Sequence, residues 1–218
     1  VTYILLKSLY GFQFYYMFKL ILQSASKKEY LEYVREDRIA LNRVDRKFPM
    51  TLFDLPLRYQ LVLRRAEYWT NCKTNLFWKP LVLFFQLRHR IIGNKCGYSI
   101  PLNVCGKGLN LAHLGTVIIN SGAQIGEYCR IHAGVNIGTK AGESNSAPCI
   151  GNRVYIGPGA KLFGHIIVGD DTAIGANAVV TKSFEQGNIT LAGVPARIIA
   201  TKGSQGLLYS PVMNDKYN

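Results

Sequence analysis

Aliphatic residues recur at every sixth position through much of the C-terminal half of this chain. The positions are Ile119, Ile125, Ile131, Ile137, Ile150, Ile156, Leu162, Val168, Ile174 and Val180. A glycine often follows the aliphatic residue, and a small or apolar residue often stands four positions after it. A period of six fits neither an α-helix nor a single strand. It is typical of a β-helix, in which three hexads form one triangular coil and each aliphatic residue points into the core.

The repeat is interrupted twice. Ile137 and Ile150 are thirteen residues apart, so the phase slips there, and the small, polar segment 139–149 predicts a loop that leaves the prism and could carry function. Counting back six positions from Ile119 reaches His113. His113 therefore stands at a position where the repeat predicts an aliphatic residue. Two interpretations follow, a core histidine that bonds a backbone carbonyl, or a functional group.

The N-terminal third has helical patterns instead. Residues 3–23 are apolar and aromatic, with two lysines, and three interpretations stay open: a buried helix, a helix on a membrane surface, or a membrane span. Residues 26–47 predict a charged helix, and residues 57–92 an apolar helical stretch broken near 71–80. We expect His89, which lies between two arginines, at a solvated helix end.

Charge and cysteine content narrow the function classes. The net charge is +13, and residues 1–96 hold 17 Lys and Arg against 7 Asp and Glu, so the basicity belongs to the N-terminal part. No basic run or zinc-finger spacing accompanies it, which argues against a nucleic-acid partner. The five cysteines include no CxxC pair. They predict reduced, mostly buried thiols in a cytoplasmic protein, and no metal site.

Four motifs in the repeat region resemble the hexapeptide-repeat acyltransferases, and within them the serine acetyltransferase-like branch. They are GLNLAHLGTVIIN (108–120), IGPGAKLFGHIIVG (156–169), IGANAVV (174–180) and AGVPARIIA (192–200). The resemblance implies a left-handed parallel β-helix, a homotrimer, and acetyl transfer from acetyl-CoA to a hydroxyl. We therefore predict an α+β chain with a basic, aromatic α-helical domain (1–98), a β-helix acyltransferase domain (99–200) and a loose tail (201–218).

The resemblance also implies the site. His113 matches the catalytic base of serine acetyltransferases, and a neutral imidazole can take a proton from an acceptor hydroxyl. His132 lies one coil and one position further on, where it is either an exposed corner residue or a substrate-positioning group, and Asn120 is a second candidate for the acceptor side. Adjacent coils are about 4.8 Å apart, so both imidazoles can line one groove.

A cofactor groove is the other implied part of the site. Small residues at 160 and 178 would leave backbone groups free for the pantetheine amides of CoA. Lys182 and Arg197 would meet its phosphates or adenosine end, although both could be ordinary surface cations. The cofactor-binding set that the resemblance implies is Gly138, Ala160, Ala178, Thr181, Lys182 and Arg197.

Two positions depart from serine acetyltransferases. An Asp precedes the catalytic histidine in those enzymes, but Ala112 stands here, and Ala147 replaces a second histidine. Because both groups help to recognise serine, the departures favour a sugar hydroxyl as acceptor, in capsule, exopolysaccharide or lipopolysaccharide synthesis. The alternatives are serine O-acetylation for cysteine synthesis and a non-catalytic trimeric scaffold that makes contacts through its basic helices.

Overall fold

The computed structural model describes residues 26–46, 53–143 and 146–209. The predicted membrane contact through residues 3–23 lies outside these ranges. Within the described ranges, no helix is both long enough and apolar enough to cross a bilayer.

Among residues 26–46 and 53–96, three α-helices precede the prism: α1 (Lys27–Ala40), α2 (Leu55–Cys72) and α3 (Lys79–Cys96), with a 3₁₀ turn at Leu76–Trp78 between α2 and α3. The predicted break near 71–80 is confirmed. Asn75 caps the 3₁₀ turn, and Pro80 lies in the first turn of α3, where a proline is tolerated. The predicted charged helix ends earlier than expected, because Leu41 is its C-cap and Asn42 adopts a left-handed conformation with φ 55°.

The remaining elements are short strands wound into a prism. They are β1 (Tyr98–Ser99), β2 (Asn110–Leu111), β3 (Val117–Ile119), β4 (Gln124–Ile125), β5 (Arg130–Ile131), β6 (Asn136–Gly138), β7 (Cys149–Ile150), β8 (Tyr155–Ile156), β9 (Lys161–Phe163), β10 (Ile167–Val168), β11 (Ala173–Ile174), β12 (Val179–Val180), β13 (Thr190–Gly193) and β14 (Ala196–Ala200). The three sheets have the orders β1-β3-β6-β9-β12, β10-β7-β4 and β14-β13-β11-β8-β5-β2. Among the described strands, every pairing is parallel except β13 with β14, the hairpin at the end of the prism. The handedness of the coil stays a prediction.

The six-residue repeat forms the core of the prism, as predicted. All ten repeat positions from Ile119 to Val180 are at most 3% exposed. In the regular coils, Ile118 pairs with Asn136 and Lys161 with Val179, so one coil is 18 residues. Coils meet closely at the corners, where a Cβ on Gly126 would lie 2.5 Å from the carbonyl oxygen of Gly151. The glycines after the aliphatic positions therefore permit coil contact.

His113 does not occupy a core position, so the core-histidine interpretation is wrong, and the phase counted back from Ile119 does not hold in the first coil. Leu111, fully buried, pairs with Ile131 and supplies the inward side chain in the first coil. Leu111 and Ile119 are eight residues apart where the repeat would have six. The two extra residues enlarge the turn that follows β2, and His113 lies exposed on that turn.

A buried ionic cluster joins the helices to the first coil. The Arg64 guanidinium on α2 bonds Asp37 of α1 (2.8 Å) and Glu67 (3.0 Å), and it also donates to the carbonyl oxygens of Cys105 and Gly106. Asp37 in turn accepts the N–H of Leu109. Helices and prism share one continuous hydrophobic core, so the division into separate domains stays a prediction.

Two local predictions are wrong for related reasons. His89 is buried rather than solvated, because the hydroxyl of Tyr59 lies 2.9 Å from its Nε2 atom, and burial lowers its pKa to about 4. The start of the tail is packed rather than loose. Ser204 is 2% exposed, and its N–H donates to the carbonyl of Asp171. In both cases a polar side chain or backbone group finds a partner that the local sequence pattern does not reveal.

Candidate active site

His113 lies on a turn whose main chain is held on both sides. Its carbonyl oxygen accepts a hydrogen bond from the hydroxyl of Tyr98 (2.9 Å). Two residues later, the N–H of Gly115 donates to the carbonyl of Cys96 (3.1 Å), and Gly115 has φ 137°, which favours glycine. The end of α3 and the start of β1 thus fix the backbone of the turn, while the imidazole is exposed.

His132 lies beside His113 on the next coil. It follows β5, and its N–H donates to the carbonyl of Ile156 (3.1 Å). The His113 and His132 ring centroids are 5.6 Å apart, and the His132 ring is 5.1 Å from that of Tyr155 on β8. Three rings from successive coils therefore form a ladder on one side of the prism, and the two imidazoles share one surface.

The electrostatics of the ladder favour a neutral His132. Burial lowers its pKa, and the nearby Arg130 and His113 lower it further. The Nε2 atom of His132 is buried and has no hydrogen-bond partner within the described ranges. No described residue makes a hydrogen bond to the His113 ring either. In neutral His132, one ring nitrogen donates and the other accepts, and the ring lies beside the exposed His113.

We expect the His132 titration to have its midpoint below 6.5, the ordinary value for histidine. Replacing Arg130 with Gln should raise the midpoint, since it removes a cation that disfavours the imidazolium. Histidine-selective NMR over pH 4–8 measures both midpoints. Lys202→Gln, which removes an exposed cation beyond the end of β14, is the control and should leave the midpoint unchanged. A His132 midpoint at or above 6.5, or a midpoint that Arg130→Gln does not change, would contradict this electrostatic account.

Asn120 has a local partner in the structure. Its side-chain oxygen accepts the N–H of Gly122 (2.8 Å), which closes the corner after β3. Among the described residues, no hydrogen bond links it to His113. Its role on the acceptor side stays a prediction.

The reason for including Ala160 and Ala178 in the predicted cofactor set, free backbone groups, is wrong. Ala160 and Ala178 are fully buried, and their N–H groups donate to the carbonyls of Gly157 and Gly175 (both 3.3 Å). Their carbonyls accept from Asn136 and Lys161. Neither alanine has a backbone donor left for a pantetheine amide, because each N–H closes a turn within its own coil.

The other predicted cofactor residues lie at the surface or at the edge of β6. Gly138 is half-buried at the end of β6, and Thr181, Lys182 and Arg197 are exposed. The Lys182 Nζ lies 5.3 Å from the ring centroid of Phe184. Thr181 lines a cavity of about 700 Å³ that the 139–149 loop borders. Their roles in binding CoA stay predictions.

The cysteines are unsuited to nucleophilic chemistry. All five are free, four of them buried, and burial raises the pKa of Cys129 and of Cys149 to about 12. A thiol with so high a pKa is protonated at neutral pH and is a poor nucleophile. In the described ranges, no group of three or more His, Cys, Asp or Glu side chains is placed to hold a metal ion.

The sequence analysis missed two tyrosines of this region. Tyr98 supports the backbone of His113, and Tyr155 packs its ring against His132. Tyr155 could have been found from the strand register, because Tyr155 of β8 pairs with Arg130 of β5, two residues before His132. Tyr98 has no such signal, since it bonds across the irregular first coil.

Comparison with known proteins identifies the repeat. Residues 150–182 match the family model described as bacterial transferase hexapeptide (six repeats). A serine acetyltransferase from Synechococcus elongatus is 35% identical over 145 residues, which are 66% of this chain and 57% of that protein. The crystal structure of serine acetyltransferase from Brucella abortus strain S19 has a TM-score of 0.62 and 28% identity, and covers 87% of this chain and 75% of its own. That of the Neisseria gonorrhoeae enzyme in complex with serine has a TM-score of 0.62 and 25% identity, covering 84% and 74%.

The chain thus spans little more than half the length of the curated relatives it matches. The similarity nevertheless includes the prism and reaches into the helices, since the structural matches cover most of this chain. Residues 150–182 of the prism therefore match the hexapeptide-repeat transferases, and the chain is similar in sequence and in fold to serine acetyltransferases.

Proposed function

We propose that this chain is an acetyl-CoA-dependent O-acetyltransferase in which His113 is the general base. The observation that carries the proposal is the exposed His113 imidazole, on a turn with a fixed backbone and 5.6 Å from the neutral His132 ring. The acetyl transfer in the names of the relatives supports it. The fold alone would not, because one fold hosts many functions.

In the proposed mechanism, the imidazole of His113 removes the proton of the acceptor hydroxyl while the oxygen attacks the thioester carbon of acetyl-CoA. The tetrahedral intermediate collapses, the carbon–sulfur bond breaks, and the CoA thiolate takes the proton back from the imidazolium. Backbone N–H groups stabilise the oxyanion. The free ring nitrogen of His132 orients the acceptor. Transfer is direct, since four of the five cysteines are buried and burial raises the pKa of the fifth, Cys72, as well.

The relatives favour L-serine as the acceptor over the sugar hydroxyl that the sequence departures suggest. The relatives compared above carry the name serine acetyltransferase, and one related structure is a complex with serine. One observation still favours a sugar hydroxyl as second candidate. Ala112 and Ala147 offer no charge, and Ala147 is buried against Gly122, so neither can pair with the amino or carboxylate group of serine.

The proposal includes a homotrimer, as the resemblance implies. Two apolar side chains near His113, Leu114 and Ile118, are 47% and 42% exposed in the single chain. A neighbouring subunit that covers them would bury apolar surface and border the catalytic turn.

A thiol-release assay tests the proposed function. The full chain is incubated with acetyl-CoA and either L-serine or a panel of nucleotide sugars and glycans, and free CoA thiol is followed with a chromogenic reagent. We expect release with L-serine, and its absence without an acceptor. Mass spectrometry of the product locates the added acetyl group on the hydroxyl.

Each outcome of this assay is informative. Release with a sugar but not with L-serine would support O-acetyl transfer and replace the acceptor by the second candidate. If none of the acceptors in the panel gives thiol release, the proposal is overturned and the non-catalytic scaffold is favoured.

A further inference from the structure

One face of α3 exposes a continuous apolar stripe. Leu83, Phe84, Leu87 and Ile91 are between 48% and 65% exposed, and their spacing of three and four residues places them on one side of the helix. Leu76 and Phe77 of the adjoining 3₁₀ turn are 71% and 76% exposed. The opposite side of α3, with His89 and Ile92, is buried. Exposed apolar side chains that lie together in this way mark an interaction surface.

Cations border this stripe on both sides. By helical spacing, Lys79 and Arg90 lie along one edge, and Arg88 and Lys95 along the other. The helix contains no Asp or Glu. Throughout residues 26–46, 53–143 and 146–209, no carboxylate forms an ion pair with any of the four cations. The partner of this face must therefore be apolar at its centre and negative at its rim.

Two occupants from the chain itself fail this charge test. A second copy of α3 would bring four cations against four cations without an acid. Residues 1–25 hold two lysines and no acid, so they would add positive charge to a positive rim. An anionic bilayer surface has the required complement, acyl chains beneath a layer of negative headgroups, and helices with this pattern lie in the interfacial plane.

We propose that the α3 face formed by Leu83, Phe84, Leu87 and Ile91 with its bordering cations lies against an anionic lipid membrane. The aromatic and aliphatic side chains enter the headgroup region, and the cations contact the phosphates. α3 ends at Cys96, whose carbonyl holds the His113 turn. Membrane contact through α3 would therefore place the prism, and its catalytic turn, close to the bilayer.

Vesicle flotation of the full chain tests this proposal, with phosphatidylcholine vesicles and with vesicles that also contain phosphatidylglycerol. We expect binding to the anionic vesicles, weaker binding to the neutral ones, and a decrease with added salt. Lys79→Gln/Arg90→Gln should lower the binding constant about 25-fold, because each cation near the surface contributes about fivefold. Leu83→Gln/Leu87→Gln should lower it at least about tenfold.

Matched controls exist on α1 and beside it. Leu31→Gln/Val44→Gln removes two apolar side chains that are 54% and 58% exposed, and Lys27→Gln/Lys28→Gln removes two exposed cations with the same change in net charge. Neither control should change vesicle binding appreciably. All substituted positions are exposed, so circular dichroism should show every variant to be folded.

Several results would overturn the proposal. They are no binding to either vesicle, equal binding to both, or α3 variants that bind like the controls. Binding that is lost only when residues 1–25 are removed would transfer the contact to that segment. A change in oligomeric state with unchanged vesicle binding, measured by light scattering, would make the face an interface between copies. None of these outcomes depends on acetyl transfer.

Discussion

His113→Ala should lower kcat for acetyl transfer by about 10²–10⁴-fold, the range for loss of a general base. The side chain is exposed and makes no hydrogen bond to a described residue, so its loss should leave the melting temperature within about 1 °C of the wild type. The expected signature is therefore a folded protein with little activity. Thiol release at saturating acetyl-CoA and acceptor gives kcat, and thermal unfolding gives the stability.

Thr116→Ala is the matched control for this prediction. Thr116 is exposed on the same turn, and its carbonyl, which accepts from Gly134, is unaffected by the substitution. We expect activity within about twofold of the wild type. Added imidazole should restore part of the activity of His113→Ala and none in Thr116→Ala, since only the first lacks a base. A His113→Ala protein with a wild-type rate would show that another group removes the proton.

The repeated part of the fold could be predicted from the sequence because its determinants are local. Each hexad carries its own aliphatic residue, and stacking requires equal spacing between coils. The burial of all ten repeat positions from Ile119 to Val180 follows from that rule. The neighbouring imidazoles of His113 and His132 also follow, since coil spacing brings residues about one coil apart onto the same side.

The first coil could not be predicted from the same rule. Cys105 and Leu111 keep a spacing of six, but it is out of phase with Ile119 by two residues. Counting back from Ile119 therefore reached His113 instead of Leu111. The correct phase depends on pairing between Leu111 and Ile131, which is a long-range contact. The exposure of His113 strengthens the functional interpretation, because an exposed imidazole is accessible to substrate and a core imidazole is not.

The burial and pairing of the charged residues could not be predicted from the sequence pattern either. Asp37 belongs to a helix rich in Lys, Arg and Glu, where charged residues are usually solvated. Arg64 lies within an apolar stretch, and nothing in the local sequence pairs it with a residue 27 positions earlier. Ala160 and Ala178 are a similar case, because their carbonyls pair with neighbouring coils and their N–H groups close turns to Gly157 and Gly175. Side-chain type predicts the core well and the polar partners poorly.

Arg64→Met should destabilise the fold by about 3–5 kcal/mol, the cost of breaking a buried ion pair by removing one partner. Arg64, Asp37 and Glu67 are each at most 1% exposed. The substitution leaves two carboxylates without their cation and frees the carbonyls of Cys105 and Gly106, which Arg64 bonds in the wild type. Chemical denaturation at pH 7 measures the free energy of unfolding. Arg65→Met is the matched control, since Arg65 is exposed, and should cost less than about 1 kcal/mol.

The pH dependence separates lost charge pairing from lost packing. Burial raises the pKa of both Asp37 and Glu67, and Arg64 opposes this by lowering both. Without Arg64 the two pKa values rise further in the folded state and are unchanged in the unfolded one. A raised folded pKa gives stability that is present at low pH and lost as the pH rises through it. Arg64→Met should therefore be more destabilising at pH 7 than at pH 5, where protonation begins to neutralise the stranded carboxyls. A cost equal to that of Arg65→Met, or one independent of pH, would show that the cluster does not hold the helices to the first coil by charge.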